Sequence, residues 1–107
     1  MNRNEIPAQL LADVENYLNI TWQDQATDDK IRGLIADSTV YLDAIGGGTM
    51  DYESDGLPRE LLMERVRYLM SDALDVFENN YMSLINQFQN SRRVMNFGVE
   101  STEQANK

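Results

Sequence analysis

The sequence predicts an all-α protein, a small helical bundle of three to four helices with a long central helix, an acidic glycine-containing loop and an extended C-terminal tail. Three observations lead there. Apolar residues recur at three- and four-residue spacing in three successive stretches, the mark of helices with one buried face. Asn19-Ile20-Thr21-Trp22 separates the first stretch from the second, and Gly46-Gly47-Gly48 with the acidic residues after it separates the second from the third. At 107 residues the chain makes one domain with a thin core, burying roughly two-thirds of the surface its unfolded form exposes.

Residues 1–6 show no periodicity and are expected to fray. Pro7 suits a first helical turn, and Leu10, Leu11, Val14, Tyr17 and Leu18 then line one face. The helix should stop near Asn19, because Asn tolerates the left-handed cap and Ile20-Thr21-Trp22 is β-branched and aromatic. Thr27 followed by Asp28 and Asp29 has the form of an N-cap with acids in the first turn, where they favour the positive end of the helix dipole. From there Ile31, Leu34, Ile35, Ser38, Leu42 and Ile45 trace a stripe to about Ala44, and the three glycines end it.

Residues 46–57 form the one long interior loop. Pro58 opens the next helix, whose face is Leu62, Val66, Leu69, Ala73 and Val76 or Phe77, broadened by Leu61, Tyr68 and Leu74. A helix this apolar packs on more than one side, which makes it the expected central element. Asn79-Asn80 is the expected site of a kink or interruption, after which Tyr81, Leu84, Ile85 and Phe88 resume a single face. Residues 1–90 are therefore read as one helical domain and 91–107 as a C-terminal tail, flexible in isolation.

Composition narrows the chemistry. The chain has no cysteine and no histidine, so disulfides, thiolate chemistry, the usual zinc ligands and the usual neutral-pH base are missing. No apolar run approaches the roughly 20 residues that cross a bilayer, and the first residues lack the pattern of a signal peptide. The net charge is -9 and uneven: residues 1–57 hold eleven acids against Arg3, Lys30 and Arg32, while residues 58–107 hold seven acids against six bases. Proteins that track phosphates cluster Lys and Arg, so this chain is ill suited to gripping DNA.

Individual motifs have plain readings. Asp51-Tyr52-Glu53-Ser54-Asp55-Gly56 starts like a calcium loop but puts Leu62 where the bidentate glutamate is required, so it reads as a solvated acidic loop shaped by Gly56 and Pro58. Asn19-Ile20-Thr21 matches a glycosylation sequon that a helix cap explains better. Trp22 is expected to pack on the core beside the turn, with an interface anchor as the other reading. Asp72 and Asp75 are expected to be solvated or paired with Arg65 or Arg67, and no nucleophile and base pair or phosphate loop accompanies them, so no enzyme, cofactor or metal is expected. Arg92-Arg93 and the apolar word Val94 to Val99 suit a peptide that docks on a neighbour or, equally, a short helix extension or a strand that folds back on its own domain.

The order and spacing of several words carry a resemblance. Asp13-Val14-Glu15-Asn16-Tyr17-Leu18 leading to Ile20, Asp28-Asp29-Lys30-Ile31 with Leu34-Ile35, Tyr41-Leu42, and Phe77-Glu78-Asn79-Asn80-Tyr81 together resemble the head-to-tail connector (portal adaptor) family of tailed phages. The likeness covers about residues 8–90. It implies a virion protein at the head-tail interface, made in the host cytoplasm, that self-associates into a ring of about 12 copies through heterologous contacts. Such a ring sits on the portal protein, extends the DNA channel and presents its other face to a stopper or tail-completion protein; the isolated chain is free to be monomeric. The resemblance makes Arg92, Arg93, Met95 and Phe97 the portal or subunit interface candidates. It makes Asp51, Glu53 and Asp55 the channel-facing acid candidates, letting DNA pass without specific binding. A different use for the same composition is a small acidic helical interaction module, or DNA mimic, that covers a basic protein surface.

Overall fold

The computed structural model describes the backbone of residues 1–105 and the side chains of residues 1–87, 89 and 90. Among the described residues the protein is all helical: α1 (Ala8–Tyr17), α2 (Gln25–Gly46), α3 (Leu57–Met70) and α4 (Leu74–Ala105), preceded by a 3-10 turn at Arg3–Glu5. None of these helices is long and apolar enough to cross a membrane.

The first residues do not fray. Asn2 caps the 3-10 turn in a capping box with Glu5, the turn packs on α2, and Met1 and Ile6 lie against the core. Burial of those two apolar side chains supplies what a six-residue segment without periodicity lacks. α1 buries Leu10, Leu11 and Val14 and ends in a Schellman motif. There Asn19 takes φ 61°, its N–H donates to Asn16 O at 3.1 Å, and Ile20 N–H donates to Glu15 O at 2.9 Å.

α2 begins three residues earlier than the sequence implies. Asp24, not Thr27, is its N-cap: the Asp24 carboxylate accepts from Thr27 N–H at 3.2 Å and from the Thr27 hydroxyl at 2.8 Å. An ionised acceptor makes the stronger cap, so the threonine becomes its donor. The buried face of α2 is Ile31, Ile35, Ser38, Thr39 and Leu42, and Gly47 closes the helix at φ 80°, a conformation glycine adopts without a Cβ penalty.

α3 and α4 are two helices, and the break lies at Ser71-Asp72-Ala73 while Asn79-Asn80 runs inside α4. Asp72 has φ 52°, Asp72 N–H donates to Leu69 O at 3.2 Å and Ala73 N–H to Tyr68 O at 2.8 Å, repeating the hydrogen bonding at the end of α1. α4 thereby folds back along α3, and Phe77 and Tyr81 reach the Tyr68 ring with centroids 5.9 Å away in each case. The fold-back also moves the centre of the bundle. α2 contacts α1, α3 and α4, taking the place expected for the helix that starts at Pro58. The core is formed by Val14, Ile31, Ile35, Leu42, Leu61, Leu62, Val66 and Phe77, each shielded from solvent.

Residues 91–105 continue the backbone of α4. The interface candidates Arg92, Arg93, Met95 and Phe97 lie outside the described side chains.

Candidate functional site

Two connections between helices carry most of the polar chemistry, and they are built in opposite ways. The α2–α3 connection is pinned to the body. Tyr52 turns inward, only 1% exposed, and its hydroxyl donates to Asp43 Oδ1 at 2.6 Å; the same oxygen accepts from Met50 N–H at 3.1 Å. Burial, then the Asp43 carboxylate, pushes the Tyr52 phenol well above its ordinary pKa. Arg59 holds the far side, donating to the carbonyls of Tyr52 and Glu53 at 3.1 and 3.3 Å and to Asp13 Oδ2 of α1 at 2.8 Å. That bond to Arg59 is the main reason the Asp13 carboxyl is held below the usual carboxylate range.

On this fixed loop Asp51, Glu53 and Asp55 are all exposed. Asp51 also organises the turn, accepting from Glu53 N–H at 2.9 Å and Ser54 N–H at 3.2 Å. Its carboxyl is held low by Ser54 and by those backbone donors. The result is a solvated acidic edge with a defined shape, where the sequence suggested only a solvated loop. Tyr52, Asp43 and Arg59 were not legible as its anchors. The one hint is a tyrosine and a methionine among acids and glycines, too apolar for a segment left entirely in water.

The α1–α2 connection is open. Trp22 is 57% exposed, which overturns the expectation that it packs on the core. The Schellman turn and the Asp24 cap leave only a short span, and the indole stays outside, donating to Thr27 Oγ1 at 3.4 Å. It borders a groove of about 750 Å³ lined by Glu15, Asn16, Ile20, Asp28 and Arg32. Partial burial, then the neighbouring Asp28 carboxyl, pushes the Glu15 carboxyl up, so two acids of different helices face one another in the groove. Arg32 pairs with Asp29 at 3.0 Å.

Two further polar nodes tie helices together. Glu64 accepts from the hydroxyls of Tyr17 of α1 and Tyr81 of α4, the latter at 2.9 Å, with Arg67 at 3.8 Å. Burial, then the bond to Glu64, pushes the Tyr81 phenol up to about 12. Arg65 is buried at 5% exposure, donates to Asp37 and Ser38 at 2.9 Å each, and lies 4.4 Å from the centre of the Tyr41 ring. Arg65 and Arg67 therefore pair with Asp37 and Glu64 rather than with Asp72 or Asp75, because the break after Met70 carries both acids off the arginine-bearing helix.

The chain matches no family model, no curated protein and no solved structure.

Proposed function

We propose that this chain is a non-enzymatic adaptor subunit of a tailed-phage head-to-tail connector, forming a ring on the portal that extends the DNA channel and offers a docking surface to the stopper or tail. The observation that carries this reading is the pinned acidic edge. Asp51, Glu53 and Asp55 are exposed on a loop whose backbone is held from both sides by Asp43 and Arg59, and the Asp51 carboxylate is itself tied to Glu53 N–H and Ser54 N–H. Fixed negative charge of this kind repels phosphate and lets DNA slide without adhering.

Three of the four words that carry the family resemblance also fall at the joints of the fold, and Tyr41-Leu42 lies within α2. Asp13 to Ile20 forms and ends α1, Asp28-Asp29-Lys30-Ile31 lies in the first turns of α2, and Phe77 and Tyr81 meet the Tyr68 ring at tilted and edge-on angles where α4 folds back. Trp22, Val40, Val76 and Met82 are large apolar side chains left exposed on three parts of the surface. A head-to-tail ring needs distinct donor and acceptor surfaces on each subunit, and these residues are available for them.

The test is to mix the chain with its cognate portal and image the product by electron microscopy, alongside a deletion mutant of the phage. The expected result is a ring seated on the portal and heads that fail to join tails. Bare portals and normal joining would overturn the proposal. A one-to-one complex with a basic protein that weakens steeply with salt would favour the acidic interaction module instead.

A further inference from the structure

The groove beside Trp22 has the chemistry of a receptor for a guanidinium group. It holds the carboxylates of Glu15, Asp24 and Asp28 against the single base Arg32, which is already paired with Asp29. The exposed indole supplies the aromatic face that cations bind best, close enough to Asp24 and Thr27 to share their hydrogen-bonded turn. A guanidinium placed there meets opposite charge and a π face together, and it relieves the mutual repulsion of Glu15 and Asp28.

We propose that this groove receives an arginine of the Arg92-Arg93 pair from a second copy of this chain. The choice of a second copy rests on the adaptor reading above and on the distribution of charge. Self-association of a chain of net charge -9 works against repulsion between copies, which a basic element of one copy meeting an acidic face of the next offsets. Arg59, Arg65 and Arg67 are engaged in ion pairs inside the protomer. Arg92-Arg93 is the one place where two basic residues adjoin in the sequence. The groove is built from α1 and the start of α2, whereas the arginines belong to α4, so donor and acceptor surfaces differ, as a head-to-tail contact requires.

Trp22 is the single tryptophan and therefore reports on its own groove. A synthetic peptide of residues 86–105 is titrated into the full-length chain carrying R92E and R93E, with tryptophan emission and calorimetry as readouts. The expected result is a saturable change in emission, affinity that falls with salt, and at least about tenfold weaker binding to a chain that also carries E15Q and D28N. A peptide with both arginines changed to Gln should leave the signal flat. Circular dichroism checks the folding of the E15Q/D28N chain, and W22L, read by calorimetry, gives the same loss independently. No binding, or binding untouched by both E15Q/D28N and W22L, would overturn the inference. Rings forming on the portal without peptide binding would sink this contact and spare the adaptor reading; peptide binding without rings would do the reverse.

Discussion

The two connections that flank α2 each carry one aromatic residue, and their fates are reversed. Tyr52 sits in a stretch of acids and glycines and is buried, whereas Trp22 sits beside Ile20 and Thr21 and is exposed. Hydrophobicity alone would order them the other way. The difference lies in what waits for the polar end of each ring. Asp43 and the Thr39 carbonyl stand where the Tyr52 hydroxyl arrives, at 2.6 and 3.4 Å, so burial leaves no donor unsatisfied. Trp22 finds only the Thr27 hydroxyl at the surface, and the turn that carries it is closed on both sides by caps. One connection is tied into the fold through its aromatic ring; the other leaves its ring in solvent, where the proposed contact would use it.

The sharpest way to break this contrast is Tyr52→Ala. Removing a fully buried ring should cost about 3–5 kcal/mol in urea unfolding, a large part of the stability of a domain this small. Tyr52→Phe separates packing from hydrogen bonding: it leaves Asp43 without its shortest donor and should cost about 1–3 kcal/mol. A double-mutant cycle with Asp43→Ala should then show coupling, since each change removes one partner of the same bond.

The alkaline limb of stability is the next measure. The folded state favours the neutral Tyr81 phenol, so its contribution is whole below the ordinary value of 10.0 and is lost as pH rises towards about 12. Tyr52 is shifted in the same direction. Unfolding followed across that window should show stability falling with pH, and Tyr81→Phe should flatten the fall.

The helices, their caps at Asn19 and Gly47, and most of the core were legible because apolar period and cap chemistry act locally. The break at Asp72 was not. Leu69, Ala73 and Phe77 keep helical spacing across it, and aspartate signals a left-handed turn less clearly than glycine. The inward turn of Tyr52 was hidden because its partner Asp43 is nine residues away on another element. The Glu15 and Asp28 pair was equally hidden, since only the packing of α1 on α2 brings those carboxyls together. The exposed acids Asp51, Glu53 and Asp55 were legible as solvated, though not as held in place.

Smaller effects sharpen the picture of the open connection. Asn19→Gly keeps the left-handed turn without a Cβ and should change stability by no more than about 1 kcal/mol, with α1 still ending where it does. Trp22→Ala should alter unfolding by within about 0.5 kcal/mol, because the ring is mostly in solvent and its hydrogen bond is long. The comparison fails if these two substitutions cost as much as Tyr52→Ala.

The most direct measurement is the fraction of portals that acquire a ring when mixed with the Trp22→Ala chain, counted by electron microscopy beside the parent. A chain that melts like the parent but leaves most portals bare is the predicted result. A Trp22→Ala chain that decorates portals as fully as the parent would contradict the assignment of this connection to a partner.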